Sequence, residues 1–314
     1  MESGHEGPEE RQPRRGDFDR AIDLFEGLED EPVGGEKPEP EPQSSRRRAL
    51  RGETARRILV AIPWIAFAIA IAVLGGLPFA VAIAGVGLVC LREYFVMTDT
   101  LRPIQIAAYV ALVGMVAAAH FGTAFDVLLA LAATFPLLFF FGADRKHRNG
   151  VTVSLGITLL AILWIGLPLV HAVLLRDLSD HGAALFIDVL VGTFTADTGA
   201  YATGRMFGSH RIAPSLSPNK TLEGLIGGFL IGTMGFWFAG LYQDWLSGTD
   251  ALIIGAAVAA IAPIGDLFAS MVKRDLGRKD TGRLFGPHGG LLDRLDAVLF
   301  TIVVGYYLSV QLVY

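Results

Sequence analysis

Cysteine and charge are both scarce in this sequence. Cys90 is the single cysteine, so the chain cannot form an intrachain disulfide. Only 18% of the 314 residues are charged, whereas 52% are hydrophobic, and soluble domains average roughly 25% charged residues. A single soluble core does not bury so much apolar surface, so the composition excludes an ordinary soluble globular protein.

No cleavable signal peptide is expected, because the sequence is polar for more than fifty residues before its first apolar segment. Residues 1–57 are rich in Glu, Pro, Gly and Arg, as in EKPEPEPQSSRRR, and this composition predicts a disordered cytoplasmic tail. Phe18, Ile22 and Phe25 follow helical spacing within it. They predict either a partner-binding helix or, as the favoured interpretation, a transient one.

Long hydrophobic runs are what the chain has in abundance. A helix needs about 20 apolar residues to span a bilayer, and nine segments approach that length: 58–74, 77–97, 103–120, 124–142, 151–174, 183–203, 221–242, 250–272 and 294–313. The sequence therefore predicts an all-α polytopic membrane protein with about nine transmembrane helices. We expect residues 58–182 to form N-terminal transmembrane helices and residues 183–314 a C-terminal catalytic region.

Basic residues predict the orientation of these spans. Of the fifteen Lys and Arg residues after position 57, fourteen fall in alternate loops and Arg176 alone falls on the opposite side. Cytoplasmic loops carry the excess of Lys and Arg. We therefore expect a multi-pass protein of the plasma membrane whose N-terminus and active site face the cytoplasm.

Acidic residues gather in and beside two of the cytoplasmic loops. Asp293 and Asp296 are three residues apart at the start of the last span, so their carboxylates share one helix face. Two adjacent carboxylates repel unless a cation lies between them, and Mg²⁺ is suited to such a site. Neutralisation by Arg294 is the alternative. Asp266 lies inside an apolar span, and an acid within the membrane indicates a functional site.

Polar stripes extend from two of the acids. Ser270 and Lys273 follow Asp266 at helical spacing, which predicts either a functional stripe or a structural Asp–Lys pair. Asp197, Tyr201 and Arg205 form a similar stripe at the end of the sixth span. Asp188 is deeper and turned away, so we interpret it as structural.

The same two loops carry the residues that an anionic substrate needs. Lys273, Arg274, Lys279, Arg283 and Arg294 surround the segment GPHGG. Gly289 and Gly290 would let backbone N–H groups approach phosphate oxygens. His288 would donate a proton or, alternatively, a structural hydrogen bond. Ser217 and Pro218 predict an N-cap and first helical residue, which would place Lys220 and Glu223 in the opening turns of the seventh span.

Bases for phosphates, acids for Mg²⁺ and glycines for close approach are the components of phosphoryl or nucleotidyl transfer, in which catalysis is mostly positioning and charge neutralisation. Three other interpretations stay open. They are a related lipid transferase or CTP-dependent lipid kinase, a transporter with Asp188, Asp197 and Asp266 on its ion path, and a non-catalytic scaffold.

The segment 270–296 resembles the signature of phosphatidate cytidylyltransferases, also called CDP-diacylglycerol synthases. The matching pattern is Ser270-x-x-Lys273-Arg274, then Lys279-Asp280, then FGPHGGL at 285–291, then Asp293-Arg294-Leu295-Asp296. The loop 197–224 is similar to the family as well, although Asn219 and Leu222 stand where the family more often has Lys and Trp. The resemblance covers roughly residues 60–314 and is strong from about 190 onward.

This resemblance implies that CTP and phosphatidate react to give CDP-diacylglycerol and pyrophosphate. It also implies a requirement for Mg²⁺, a second monovalent ion such as K⁺, and a homodimer; no nucleic-acid partner is expected. The implied metal ligands are Asp266, Asp293 and Asp296, which with Lys273 and His288 form the expected catalytic set. The expected substrate-binding residues are Asp197, Tyr201, Arg205, Ser217, Lys220, Glu223, Ser270, Arg274, Lys279, Asp280, Gly289, Gly290 and Arg294.

Overall fold

The computed structural model describes residues 65–143, 150–282 and 289–314, and within those ranges the regular structure is helical. The eleven α-helices of the described ranges are α1 (Ile65–Leu74), α2 (Gly76–Met97), α3 (Gln105–Phe121), α4 (Ala124–Ala132), α5 (Thr134–Ala143), α6 (Val151–Ala161), α7 (Leu167–Arg176), α8 (Gly182–Phe207), α9 (Leu222–Gly240), α10 (Gly248–Asp275) and α11 (Leu292–Leu312). The tail 1–57, with its short helical pattern, lies outside the described residues.

The apolar segments coincide with these helices. In the described ranges, seven helical stretches are long and apolar enough to cross a membrane: α2, α4–α5, α6–α7, α8, α9, α10 and α11. The first and third predicted spans correspond to shorter apolar helices, α1 and α3. The prediction of an all-α polytopic membrane protein is confirmed. The figure of nine crossings stays a prediction.

Two of the helical stretches are interrupted for local reasons. Residues Ile162–Gly166 form a π-helical turn between α6 and α7, and Pro168 follows at the start of α7. Proline has no N–H to donate to the carbonyl four residues earlier, and a π-turn is a common adjustment within helices. Gly75, at φ 59°, separates α1 from α2, and Gly76, the first residue of α2, has a φ of 54°.

Arg176, the one basic residue after position 57 outside the predicted cytoplasmic loops, contacts that break. Its Nε donates a hydrogen bond to the carbonyl oxygen of Ala72 in the last turn of α1. A Cβ at Gly75 would lie 1.8 Å from the guanidinium. The last carbonyls of a helix have no partner within it and attract cations, so Arg176 stabilises the end of α1.

Small residues bring α8 and α9 together. A Cβ at Gly228 would lie 2.8 Å from the carbonyl oxygen of Ala196, and one at Gly224 would lie 2.8 Å from that of Ala200. Such close backbone approach is typical of helix packing in lipid. The glycine-rich sequence of α9 thus serves helix packing, and it fixes the spacing of the two helices that carry one of the charged loops.

Candidate active site

The predicted functional residues lie where four helices begin or end. The carboxyl-terminal half of α8 carries Asp197, the last turn of α10 carries Lys273, and the first turns of α9 and α11 carry Glu223 and Asp293. The two charged loops join these ends, one between α8 and α9 and the other between α10 and α11. The chain therefore brings the two loops that were predicted to be functional to the same group of helices.

Two lysine–aspartate pairs form the charged centre. The Lys220 Nζ lies 2.8 Å from an oxygen of Asp266 and donates a second hydrogen bond, at 3.3 Å, to the carbonyl oxygen of Pro263. The Lys273 Nζ lies 2.8 Å from Oδ1 of Asp293, and each of these two side chains is 11% exposed. Both pairs join a residue of α10 to a residue from a neighbouring segment.

Asp293 has a full set of donors. Its Oδ2 accepts hydrogen bonds from the Thr281 backbone N–H (2.8 Å), the Thr281 hydroxyl (2.9 Å) and the Gly290 N–H (2.9 Å). A Cβ at Gly289, where φ is +85°, would lie 2.8 Å from the same oxygen. Lys273 on Oδ1 completes four contacts, so Thr281, Gly290 and Lys273 together surround this carboxylate.

A second group of acids lies beside this pair. The Asp296 carboxylate is within electrostatic range of Asp266, Asp197 and Lys273, and Asp197 is within range of Asp266 and Lys220. A Cβ at Gly265 would lie 2.6 Å from the carbonyl oxygen of Asp296. The crossing of α10 and α11 at that glycine places Asp266 and Asp296 together.

The second group of acids could hold Mg²⁺ together with substrate phosphates, although it does not form a complete metal site by itself. Within the described ranges no three His, Cys, Asp or Glu side chains are arranged to hold one ion. Mg²⁺, however, is usually bound by one or two carboxylates together with substrate phosphates. Asp266 and Asp296, with Asp197 beside them, supply that donor set. Oδ1 of Asp293 becomes available only where Lys273 releases it.

The start of α9 differs from the sequence prediction. Thr221, not Ser217, is the N-cap: its hydroxyl accepts a hydrogen bond from the Gly224 N–H at 3.2 Å. Thr221 pairs with Arg211 in an antiparallel bridge, which keeps the chain extended up to the helix. Ser217 instead begins a turn closed by the Lys220 N–H at 3.3 Å. The predicted N-cap at Ser217 is therefore wrong, and Lys220 precedes the helix.

Glu223 closes the same loop. Its carboxylate accepts hydrogen bonds from the backbone N–H groups of Ser209 and His210, from the Ser209 hydroxyl at 3.1 Å and from the His210 ring at 2.7 Å. These contacts hold the segment after α8 against the start of α9. Glu223 shapes the loop that delivers Lys220.

The remaining predicted residues surround this centre. The Ser270 hydroxyl is 3.4 Å from Asp266, and the Tyr201 hydroxyl is 3.0 Å from the Arg205 guanidinium, as helical spacing predicts. Arg274 reaches across to the carbonyl oxygen of Leu216 at 3.5 Å. Three more charged residues are exposed: Lys279, Asp280 and Arg294. His288 and Arg283 lie outside the described residues.

Two residues of this region escaped the sequence analysis. Thr281 contacts Asp293 as described above, and Glu93, near the end of α2, accepts hydrogen bonds from the start of α11. Glu93 did carry a signal, since it is an acid within an apolar span. Asp188, also buried, accepts a hydrogen bond from Gln243 at 2.8 Å, and its structural interpretation stays a prediction.

Comparison with known proteins gives one consistent result. The model of the family described as "Cytidylyltransferase family" matches residues 55–312. A phosphatidate cytidylyltransferase of Synechocystis is 30% identical over 294 residues, covering 82% of this chain and 97% of the relative. That of Bacillus subtilis is 27% identical over 263 residues, 81% of this chain and 96% of the relative. That of Thermotoga maritima is 43% identical over 133 residues, 40% of this chain and 49% of the relative.

Proposed function

The chain belongs to the cytidylyltransferase family, and from that premise we propose that it transfers CMP from CTP to phosphatidate, giving CDP-diacylglycerol and pyrophosphate. The observation that carries the proposal is the pair of lysine–aspartate contacts at the meeting point of four membrane helices. Cations there suit phosphates, and the neighbouring carboxylates suit Mg²⁺. Phosphatidate and the cytidylyl group are those in the relatives' names.

The reaction needs little covalent chemistry from the protein. A phosphate oxygen of phosphatidate is already ionised and attacks the α-phosphorus of CTP in line. A new P–O bond forms while the bond from that phosphorus to the pyrophosphate oxygen breaks, and pyrophosphate leaves with the electron pair. Positioning and charge neutralisation therefore provide most of the catalysis.

The residues take distinct roles in this proposal. Lys220 and Lys273 turn from their aspartates to the incoming phosphates, with Arg274 and Lys279 at the rim. Asp266 and Asp296 would hold Mg²⁺, which when bound neutralises charge on the triphosphate. Asp293 keeps Lys273 in place before substrate arrives. The monovalent ion and the homodimer implied by the resemblance remain predictions without an assigned site.

We infer the location of the active site from the distribution of basic residues among the loops. Fourteen of the fifteen basic residues after position 57 fall in alternate loops, and this bias supports an active site on the cytoplasmic side of the membrane, which we propose to be the plasma membrane. There a soluble nucleotide reaches the helix ends from the water and a lipid phosphate reaches them from the bilayer.

The position of the label distinguishes the proposed reaction from its rivals. Purified protein in phosphatidate-containing micelles with Mg²⁺ is given CTP labelled on either the α- or the γ-phosphate. Label from the α-phosphate in the lipid fraction, with none from the γ-phosphate, is the expected result. Label from the γ-phosphate would show a lipid kinase instead, and no label from CTP in a folded preparation would refute the proposal. Asp293→Asn serves as the inactive control.

A further inference from the structure

Glu93 is a buried carboxylate that the proposed reaction leaves unused. It lies in the last turns of α2 and is 9% exposed. Its Oε1 accepts a hydrogen bond from the Leu291 N–H and its Oε2 one from the Leu292 N–H, both at 2.9 Å. An acid from the N-terminal half of the chain thus binds the first residues of α11.

These contacts supply a cap that α11 does not make for itself. Leu291 is the N-cap residue and has no side-chain acceptor. The first N–H groups of a helix lack partners within it, and a carboxylate there also interacts favourably with the helix dipole. Because Glu93 satisfies two of these donors from another helix, the starting point of α11 depends on α2.

A short relay joins Glu93 to the charged centre. The Thr281 hydroxyl lies 3.3 Å from Oε2 of Glu93 and 2.9 Å from Oδ2 of Asp293. A hydroxyl has one proton to donate, so the two carboxylates share the Thr281 hydroxyl as a donor and keep it between them. Thr281 also gives its backbone N–H to Asp293. The position of Thr281, and with it the orientation of Asp293, is therefore set partly by Glu93.

The glycines of the signature segment fit around this carboxylate. A Cβ at Gly290 would lie 2.4 Å from Oε2 of Glu93 and 2.5 Å from the Thr281 hydroxyl, and one at Gly282 would lie 2.8 Å from Oε1 of Glu93. The residue after Glu93, Tyr94, is fully buried. Two segments, residues 281–282 and 290–292, thus surround one acid more closely than a cap alone requires.

We propose that Glu93 is a positioning residue for cytidylyl transfer: it fixes the start of α11 and the Thr281–Asp293 contact without touching substrate. The proposal rests on the proposed function of the site. It assigns the N-terminal helices a part in catalysis, because α2 sets the geometry of a segment that is nearly two hundred residues further along the chain.

Glu93→Gln is the first variant. The amide keeps the size of the side chain but offers one acceptor oxygen where two N–H groups need one each. We expect kcat to fall about 10- to 100-fold, as for other residues that orient a site from behind, with KM for CTP and for phosphatidate changed less than about threefold. Glu93→Asp keeps both acceptor oxygens and should recover part of kcat.

Asp188→Asn is the matched control, since it also replaces a buried, hydrogen-bonded carboxylate by its amide. It should lower thermal stability without changing kcat per folded molecule. Thr281→Val completes the test: if Glu93 acts through Thr281, the losses of kcat in the Glu93→Gln and Thr281→Val variants will not multiply in the double variant. Multiplied losses, or an unchanged kcat in Glu93→Gln, would overturn the proposal.

Hydrogen exchange in lipid nanodiscs gives a readout independent of activity. Glu93→Gln should speed exchange in peptides that contain Leu291 and Leu292, whereas Asp188→Asn should not. A wild-type protein without CMP transfer would refute the proposed function but leave this exchange comparison in force. Unchanged exchange at the start of α11 would refute the positioning role whatever the substrate.

Discussion

Removing either member of the Lys273–Asp293 pair should strongly destabilise the protein. Each side chain is 11% exposed and their charged atoms are 2.8 Å apart. Loss of one partner from a buried pair costs about 3–5 kcal/mol, because the other charge is left without compensation. Asp293 keeps three donors on Oδ2, so we expect the lower end, about 3 kcal/mol, for Lys273→Met.

The double variant separates the pair from its surroundings. Asp293→Asn alone leaves the buried Lys273 ammonium beside an amide, and we expect a loss of stability similar to that of Lys273→Met. Lys273→Met combined with Asp293→Asn removes both charges, so it should be more stable than the sum of the single effects predicts, by about 2 kcal/mol or more. All three variants should lose CMP transfer, because two of them lack the Lys273 ammonium and Asp293→Asn lacks the carboxylate that keeps this ammonium in place.

The losses of stability in these variants can be measured by thermal unfolding, followed by tryptophan fluorescence. All variants should be in the same nanodiscs and heated at one scan rate, because irreversible unfolding makes Tm depend on the scan rate. A loss of 3 kcal/mol corresponds to a fall in Tm of roughly 6–12 °C for a domain of this size. Lys279→Met, an exposed lysine after the same helix, is the control and should change Tm by less than about 1 °C. Additive losses of Tm in the double variant would refute the reasoning.

Three further perturbations follow from the site. Lys220→Gln removes the contact with Asp266, and we expect kcat/KM for CTP to fall by about 100-fold or more; an unchanged value would exclude Lys220 from phosphate binding. Asp296→Asn should raise the Mg²⁺ concentration for half-maximal activity by about tenfold or more, and an unchanged Mg²⁺ titration would remove it from the ion site. Gly228→Ala should lower both Tm and activity, because its Cβ would meet a backbone carbonyl at 2.8 Å. Gly114→Ala, where a Cβ meets nothing within 4 Å, should leave activity unchanged; equal effects would refute the packing argument.

The fold was largely predictable because the bilayer imposes one solution. A backbone in hydrocarbon must satisfy its own hydrogen bonds, so apolar segments of the right length become helices. The hydrophobic pattern therefore predicts α8, α9 and α10 to within about four residues. It does not predict the π-turn before α7, which depends on how Pro168 is accommodated by neighbouring helices.

The site was predictable where spacing alone decides which side chains meet. Ser270 contacts Asp266 and Arg205 contacts Tyr201 at the predicted helical intervals. The start of α9 was mispredicted because Ser217-Pro218 is a good local cap, whereas pairing of Arg211 with Thr221 keeps the chain extended past it. A tertiary contact overrode a local preference.

Contacts between distant segments account for the rest. Asp293 and Asp296 share a helix face, yet the loop gives them different partners: Asp293 binds Lys273, Thr281 and Gly290, whereas Asp296 lies near Asp266 and Asp197. Spacing along one helix specifies the direction in which side chains point but not what the other helices place there. This is why Asp197 was assigned to substrate rather than to the acidic group.

The glycines of the signature segment also show that a sequence pattern does not specify which groups from distant segments lie beside it. Gly289 and Gly290 suggested room for phosphate, but a Cβ at either position would first meet a carboxylate, that of Asp293 or of Glu93. Their small size thus lets the loop fold around two acids, one of them from α2. A pattern of glycines and acids that suggests ligand binding therefore also serves to build the loop. An experiment can distinguish the structural role of these glycines from a role in phosphate binding. Replacing Gly290 with alanine should disturb Asp293 and speed hydrogen exchange at Leu291 even with no nucleotide present, whereas a glycine needed only for phosphate would change nothing until CTP is added.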